Sequence, residues 1–199
     1  MIKNIVFDVG EVLLGYRWKE MLMEDHGLPE ERAEKIGRTV FSNQLWADFD
    51  MGTLNMCDVI QGIGKEFPEY QEDLTWFIEH ADLMPVKRPE VWKFLPKLRE
   101  KEYKIYLLSN YSQELFEIHT KGADFLNYID GKVVSYEIKI AKPDERIYRC
   151  LFDRYGLRPE ECIFLDDRKE NVEAAEKLGM KSIQIMSEEQ LIDILKTYE

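Results

Sequence analysis

Five short runs of apolar residues alternate along the chain with longer segments in which apolar residues recur at helical spacing. The runs, with their polar ends, occupy residues 5–7, 104–110, 132–135, 162–165 and 182–185. A short run that is apolar at every position is typical of a strand buried on both faces. The alternation of such strands with helices predicts an α/β fold, with a parallel sheet, right-handed crossovers and helices on both faces.

The helical segments fall into two groups. Residues 16–83, between the first two strands, are rich in Glu, Met, Trp and Phe, and breaks at 27–29, 50–52 and 67–68 predict about four short helices. We predict that this stretch is a helical cap domain, inserted into a core of residues 1–15 and 84–199. Helices are also predicted from Pro89 through Leu98, from Ser112, from Asp144 to Gly156, from Val172 to Leu178 and after Ser187.

Polar residues stand at the ends of the strands or in adjacent loops, where ligands bind in open parallel sheets. They are Asp8, Ser109, Asn110, Lys142, Asp166 and Asp167. Adjacent carboxylates repel unless a cation lies between them, and three carboxylates without a nearby His or Cys favour a hard cation such as Mg²⁺. Taken alone, Asp166 and Asp167 also fit a helix N-cap, and Lys139 is an alternative to Lys142.

Composition narrows the classes of partner. The 27 Lys and Arg against 39 Asp and Glu give a net charge of -12, so we expect no nucleic-acid or anionic membrane partner. Three cysteines without CxxC spacing predict reduced, mostly buried thiols. The first residues have no charged segment followed by a long apolar run, so we expect a cytoplasmic protein.

Four segments, in this order, resemble the motifs of the haloacid dehalogenase-like superfamily. They are Phe-Asp-Val-Gly-Glu-Val-Leu at 7–13, Leu-Leu-Ser-Asn at 107–110, Lys-Pro-Asp at 142–144 and Phe-Leu-Asp-Asp at 164–167. The resemblance covers nearly the whole chain, and four motifs in order are far more specific than one. It implies a Rossmann-like core with a five-stranded parallel sheet, a helical cap and a hydrolase that uses an Asp nucleophile.

The resemblance also implies a metal site and a phosphorylated substrate. Asp8 is the implied nucleophile, which forms an aspartyl-phosphate that water hydrolyses. Mg²⁺ is expected on Asp8, the Gly10 carbonyl and Asp167, with Asp166 supporting it directly or through water. The implied substrate is a small phosphorylated metabolite.

The remaining implied roles belong to residues that bind the phosphate or the leaving group. Ser109 and the backbone amide of Asn110 are expected to bind phosphoryl oxygens, and Lys142 is expected to provide the counter-charge. From the cap we select Arg17 and Trp46 as substrate-binding residues, among a wider set of candidates. That set also includes Tyr16, Trp18, Asp48, Phe49 and Asp50. The three histidines, His26, His80 and His119, are scattered and are interpreted as ordinary surface or helix residues.

The chain departs from most phosphatases of this superfamily at Gly10, where they have a second Asp that protonates the leaving group. Its loss removes general acid–base catalysis, typically worth ~10²–10⁴-fold. A sugar 1-phosphate or an acyl phosphate needs less of this assistance, and the chain is similar to a subgroup of bacterial phosphatases that act on α-glucose 1-phosphate. Glu11 could substitute as a donor, although a turn residue facing solvent is the simpler interpretation. Lys139 also departs from the family, since relatives often have glycine there.

Two other functions remain open at this point. Superfamily dehalogenases also lack the second Asp and use no Mg²⁺, so a metal-independent haloacid dehalogenase is one alternative. The retained pair Asp166 and Asp167 disfavours it, because an alkyl halide would leave these carboxylates uncompensated. A non-catalytic phosphate-binding or interaction protein is the other alternative.

Overall fold

The computed structural model describes all 199 residues and contains seven strands in two sheets. The strands are β1 (Asn4–Phe7), β2 (Leu14–Tyr16), β3 (Pro85–Lys87), β4 (Lys104–Ser109), β5 (Gly131–Val134), β6 (Cys162–Asp166) and β7 (Lys181–Gln184). Five of them form a parallel sheet in the order β5-β4-β1-β6-β7. The predicted α/β fold with its five parallel strands is confirmed.

Helices connect the strands of the parallel sheet and fill the long insertion after β2. They are α1 (Trp18–Glu20), α2 (Glu30–Phe41), α3 (Gln44–Asp50), α4 (Met56–Glu66), α5 (Gln71–Glu79), α6 (Pro89–Trp92), α7 (Phe94–Glu100), α8 (Gln113–His119), α9 (Ser135–Ile138), α10 (Glu145–Tyr155), α11 (Lys169–Lys177) and α12 (Glu188–Lys196). None of these helices has the length and apolar character needed to cross a membrane.

Strand β1 is buried on both faces, as its apolar sequence predicts. Ile5 and Phe7 belong to the core on one side of the sheet, and Val6 belongs to the core on the other side. Successive side chains of a strand point to opposite faces, so a central strand covered by helices on both sides is apolar at every position. The first polar side chain, Asp8, therefore appears where the strand leaves the core.

Two predictions about local structure are wrong. The helix predicted from Pro89 through Leu98 is divided into α6 and α7, because Pro96 has no N–H to bond the Trp92 carbonyl one turn earlier. The thiols are not mostly buried either. Only Cys162 is buried, whereas Cys57 is exposed and Cys150 is partly exposed.

A short antiparallel ribbon, not predicted from the sequence, joins the two ends of the helical insertion. Strand β2 pairs with β3, with Tyr16 opposite Pro85, and α1–α5 lie between them in sequence. The division into a cap of residues 16–83 and a core of 1–15 and 84–199 stays a prediction, which this ribbon supports. Lys139 of the core donates a hydrogen bond to the Gly52 carbonyl of the insertion.

Candidate active site

The register of the sheet brings the predicted strand ends together. Phe7 is paired with Leu107 of β4 and with Leu165 of β6. The residue after Phe7 is Asp8, which is therefore level with Asp166 and one position short of Ser109. The backbone N–H of Asp8 donates to the Leu165 carbonyl at 2.9 Å, so the chain is still held to β6 where the carboxylate emerges.

Asp8 is buried and held by three donors. Its Oδ1 accepts hydrogen bonds from the Ser109 hydroxyl at 2.6 Å and from the Val9 N–H at 2.7 Å. Its Oδ2 lies 2.9 Å from the Lys142 ammonium. Burial raises the pKa of Asp8 to about 6, and the attraction of Lys142 limits that rise. One carboxylate oxygen is thus fixed by uncharged donors and the other faces a cation.

Lys142 is a completely buried cation between two carboxylates. Its Nζ donates to the Leu108 carbonyl at 2.8 Å and to Asp166 Oδ2 at 2.6 Å, in addition to its contact with Asp8. Burial alone would lower the pKa of Lys142, but the attraction of Asp166 and Asp8 outweighs it and raises the pKa. The ammonium therefore stays charged inside the site.

The side chain of Asn110 holds the loop that carries Lys142. Its Oδ1 accepts from the Lys142 N–H at 2.7 Å, and its Nδ2 donates to the Lys142 carbonyl at 2.9 Å. Between the two lysines considered from the sequence, Lys142 is the one that contacts Asp8. Lys139 is instead occupied with the Gly52 carbonyl.

Three carboxylates form a cluster at this edge of the sheet. Oxygen atoms of Asp8, Asp166 and Asp167 lie within 4.8 Å of one another. The Asp166 oxygens accept from Lys142, from the Arg168 N–H at 2.8 Å and from the Asn171 side chain at 3.0 Å. Asp167 has none of these donors and lines the cavity.

The donor set of this cluster fits a hard divalent cation. Burial, followed by repulsion from Asp8 and Asp166, raises the pKa of Asp167 to about 7. The single ammonium of Lys142 cannot balance the charge of three carboxylates. The side-chain atoms that could coordinate a metal are all oxygens, as Mg²⁺ requires. The cluster therefore fits Mg²⁺ in both charge and chemistry.

A cavity of about 390 Å³ opens above the cluster. Its wall combines aromatic residues with a few polar ones, including Tyr16, Trp18, Phe41, Trp46, Asp50, Asn110, Asp167 and Arg168. Trp46 is at this wall, as we selected it from the sequence. Arg17 is not, because its guanidinium pairs with Asp25 at 2.6 Å and Glu24 at 3.1 Å. We therefore do not retain Arg17 as a substrate-binding residue.

Several residues around the cavity were missed or misread from the sequence. The interpretation of His119 as an ordinary surface or helix residue is correct about the helix, since His119 ends α8, but the residue is buried, and burial lowers its pKa to about 4. Asn171, which supports Asp166, was overlooked, although its place one helical turn beyond Asp166 and Asp167 was a usable signal. Glu11 pairs with Arg88 at 3.0 Å, which favours the turn interpretation over a proton donor.

The carboxyl group of Asp50, which is partly exposed and lines the cavity, gives a prediction about stability and pH. Burial raises the pKa of Asp50 to about 8, against the attraction of Arg168. A raised carboxyl pKa means that the fold favours the protonated form. The stabilisation by that form is complete below the unfolded-state pKa and is lost as the pH rises through about 8.

We therefore expect Asp50→Asn, which resembles the protonated acid, to gain in stability relative to the parent as the pH rises. Each pKa unit corresponds to ~1.4 kcal/mol, and a chain of this size changes Tm by ~2–4 °C per kcal/mol. Thermal unfolding in EDTA should show the difference in Tm moving in favour of the variant by at least ~4 °C between pH 5 and pH 8. A difference in Tm that does not change with pH would contradict this prediction.

The chain is similar in sequence and in fold to known hydrolases. A family model described as haloacid dehalogenase-like hydrolase matches residues 2–179. The chain is 25% identical over 189 residues to the sesquiterpene phosphatase astK of Aspergillus oryzae, covering 92% of this chain and 89% of that protein. It is 23% identical over 186 residues to the drimenol cyclase drtB of Aspergillus calidoustus, covering 92% of this chain but only 34% of that protein.

Further relatives include both phosphatases and haloacid dehalogenases, and the chain spans less than half the length of the latter. A HAD family enzyme from Bacteroides thetaiotaomicron, bt-2542, solved in complex with magnesium and inorganic phosphate, has a TM-score of 0.72 and 24% identity. The match covers 94% of this chain and 96% of that one. This similarity establishes the fold, and the family model covers the four motifs. The chain therefore belongs to the haloacid dehalogenase-like hydrolase family.

Proposed function

We propose that the protein is an Mg²⁺-dependent phosphatase that hydrolyses a small phosphorylated metabolite through an aspartyl-phosphate on Asp8. One observation carries the proposal. A buried carboxylate lies 2.9 Å from the ammonium of Lys142 and within 4.8 Å of two further carboxylates. This is a carboxylate with one cation already beside it and with further carboxylates placed to hold a second, and phosphoryl transfer to a carboxylate requires such positive charge. Phosphatases among the relatives support the same reaction class.

Asp8 performs the covalent chemistry in this proposal. One of its oxygens attacks phosphorus, the bond from phosphorus to the leaving oxygen breaks, and the leaving group departs with the electron pair. Lys142 offsets the charge that accumulates between Asp8 and the phosphoryl oxygens. Water then attacks the phosphorus of the aspartyl-phosphate and releases inorganic phosphate, with Asp8 restored as a carboxylate.

The metal would be held by Asp8, Asp167 and the Gly10 carbonyl. When bound, Mg²⁺ supplies the positive charge that reduces repulsion between a phosphate dianion and the carboxylates. Asp166 supports this arrangement mainly by fixing Lys142, since its oxygens already accept hydrogen bonds from protein donors. The bt-2542 structure, which has the same fold, contains magnesium and inorganic phosphate, and this is consistent with a metal-dependent reaction on a phosphate.

Ser109 and Asn110 remain our proposed phosphate-binding residues. The Ser109 hydroxyl donates to Asp8 Oδ1, so it is adjacent to the carboxylate that would attack phosphorus. The Asn110 side chain is occupied with the backbone of Lys142, which leaves its backbone amide for the substrate. The three donors of Lys142 are directed at Asp8, Asp166 and the Leu108 carbonyl, so Lys142 would act on the phosphate through its charge.

For the leaving group we propose a sugar, as in glucose 1-phosphate. Trp46 and Trp18 offer aromatic faces on which a sugar ring can stack, and Asp50 offers a carboxyl group to its hydroxyls. A second candidate is an isoprenoid phosphate. The edge-to-face cluster of Trp18, Phe41 and Trp46 favours it, as does the relative described as a sesquiterpene phosphatase.

A panel of phosphate esters assayed with Mg²⁺ tests these candidates. We expect glucose 1-phosphate to be hydrolysed with a higher kcat/KM than glucose 6-phosphate or an isoprenoid monophosphate. A preference for the isoprenoid ester would replace the sugar by the second candidate. Absence of hydrolysis of every ester, including a generic aryl phosphate, would remove the phosphatase and favour the non-catalytic alternative.

The dehalogenase alternative is tested with a 2-haloacid. The carboxylate cluster disfavours it, because an alkyl halide offers no charge to balance Asp167. We expect no release of halide from 2-chloropropionate in EDTA. Sustained halide release under these conditions would favour the dehalogenase over the phosphatase.

The metal assignment predicts the behaviour of Asp167→Asn. Removing one carboxylate from the site strongly weakens the binding of a hard cation. We therefore expect the Mg²⁺ concentration for half-maximal turnover to rise by at least ~10–100-fold. Calorimetric titration of the protein with Mg²⁺ gives a readout that does not depend on turnover. An unchanged Mg²⁺ affinity in Asp167→Asn would show that this carboxylate does not hold the metal.

A further inference from the structure

A tyrosine fills the space beside Gly10. A Cβ atom added at Gly10 would lie 2.7 Å from the Tyr16 hydroxyl oxygen and 2.9 Å from its Cε2, closer than real Cβ atoms approach. Gly10 is not among the glycines with positive φ, so its backbone does not require a glycine. The ring of Tyr16 is therefore what excludes a side chain at position 10.

A chain of hydrogen bonds fixes the Tyr16 hydroxyl in this place. It is hydrogen-bonded to the Tyr111 hydroxyl, which lies 2.9 Å from His119 Nδ1. His119 Nε2 lies 2.9 Å from the Ala81 carbonyl oxygen, and both Tyr111 and His119 are buried. Tyr16 is also held through its backbone, at the end of β2 opposite Pro85.

The partners in this chain determine which way the protons point. A carbonyl only accepts, so His119 Nε2 donates to Ala81. Because burial lowers the pKa of His119 to about 4, its ring is neutral at pH 7 and Nδ1 accepts from Tyr111. The only hydroxyl proton of Tyr111 is then used. Tyr16 must therefore donate to Tyr111, and its oxygen presents only lone pairs to the cavity.

We propose that Tyr16 sets the leaving-group selectivity of this site. Its hydroxyl occupies the position of the missing second carboxylate. The hydroxyl oxygen accepts a hydrogen bond from a hydroxyl group of the leaving group, and it donates no proton to the oxygen that leaves phosphorus. This inference rests on the proposed phosphatase function and refines its substrate class. The substrates would be phosphate esters of hydroxylated molecules, joined through a weakly basic oxygen such as an anomeric, enolic or phenolic one.

The bond changes agree with this class. The bond from phosphorus to the leaving oxygen breaks, the electron pair stays on that oxygen, and the anion takes a proton from water after it has left. Without a donor in the site, the rate should fall steeply as the basicity of the leaving oxygen rises. A neighbouring hydroxyl of the leaving group would meanwhile be held by Tyr16.

The first test measures kcat for a series of aryl phosphates with Mg²⁺ against the pKa of the phenol released. We expect a steep negative slope in the parent and the same slope in Tyr16→Phe, whatever the absolute rates. Tyr16→Phe should raise the KM for glucose 1-phosphate by about 3–10-fold more than it raises the KM for an aryl phosphate. This is the change expected for the loss of one hydrogen bond to the substrate. A steeper slope in Tyr16→Phe would show that the tyrosine donates a proton, and would overturn the inference.

The second test exchanges the two side chains. Gly10→Asp should lower Tm by more in the parent than in the Tyr16→Ala variant, because only the variant without the tyrosine ring has room for the carboxylate. The combined variant should also hydrolyse the poorest leaving group at least ~10-fold faster than Tyr16→Ala alone. An equal effect of Gly10→Asp on Tm in the parent and in the Tyr16→Ala variant, or no gain in rate in the combined variant, would contradict the inference.

The two proposals fail in different ways in these experiments. If the parent hydrolyses no aryl phosphate, including 2,4-dinitrophenyl phosphate, the phosphatase function and this refinement both fall. If the parent hydrolyses the series with a shallow slope that steepens in Tyr16→Phe, the phosphatase stands and the role assigned to Tyr16 falls.

Discussion

Asp8→Asn is expected to reduce phosphatase turnover by ~10⁴-fold or more, the scale seen when a covalent nucleophile is removed. The amide keeps the size of the side chain and its carbonyl oxygen can still accept from Ser109, but it cannot form the aspartyl-phosphate. Single-turnover hydrolysis of 2,4-dinitrophenyl phosphate with Mg²⁺ measures the loss. Turnover within ~10-fold of the parent would mean that another group is the nucleophile.

A matched control for this variant is Asp193→Asn. Asp193 is an exposed carboxylate of α12, and its contact is with Lys196 on the same helix. Surface changes of this kind alter stability by less than ~0.5 kcal/mol. We expect parental turnover for Asp193→Asn, so that a loss in Asp8→Asn is assigned to the site.

Lys142→Met is expected to lower both activity and stability. The Lys142 side chain has no solvent-exposed surface and lies 2.9 Å from Asp8 and 2.6 Å from Asp166. Removing one partner of a buried pair typically costs ~3–5 kcal/mol, because the opposite charge remains buried. At ~2–4 °C per kcal/mol, we expect Tm to fall by at least ~6 °C at pH 7. Turnover should fall by at least ~10²-fold, as for other groups that stabilise transition-state charge.

The pH dependence of Lys142→Met separates the charge effect from packing. Without the ammonium, the pKa of Asp8 in the folded state rises further, because the attraction of Lys142 no longer limits the effect of burial, and the protonated form of Asp8 is favoured. The stability contributed by a carboxyl group with a raised pKa is lost as the pH rises. The fall in Tm of Lys142→Met relative to the parent should therefore be smaller at pH 5 than at pH 8. A deficit that is the same at both pH values would indicate lost packing alone.

Lys139→Met provides the comparison for Lys142→Met. Lys139 is only three positions away in the chain, but it donates to the Gly52 carbonyl of the helical insertion. We expect a much smaller loss of turnover in Lys139→Met than in Lys142→Met. Equal losses in the two variants would contradict the assignment of Lys142 as the buried counter-charge.

The arrangement around Asp8 was largely predictable from the sequence, because it follows from strand chemistry. Each apolar run ends where the sheet leaves the core, and the carboxyl ends of parallel strands share one edge. The residue after Phe7 and the last residue of β6 are therefore neighbours, as the register places Asp8 and Asp166. The order of the strands was not in the hydrophobic pattern, and the family resemblance implied five parallel strands without their order, which the structure supplies.

The contacts around Tyr16 could not be predicted in the same way. Tyr16 and Tyr111 are 95 positions apart, and no periodic pattern encodes a contact between side chains from different parts of the fold. Arg17 shows a related difficulty. It stands between two residues that line the cavity, at the turn from β2 into α1, and its guanidinium pairs with carboxylates outside the site.

Rapid acid quenching of the protein during hydrolysis of a ³²P-labelled aryl phosphate with Mg²⁺ tests the central claim most directly. The account predicts transient label on the protein, approaching one phosphate per chain, that is released by hydroxylamine, located on Asp8 and absent from Asp8→Asn. Continued turnover with no label on the parent, or the same label on Asp8→Asn, would contradict phosphoryl transfer to this aspartate.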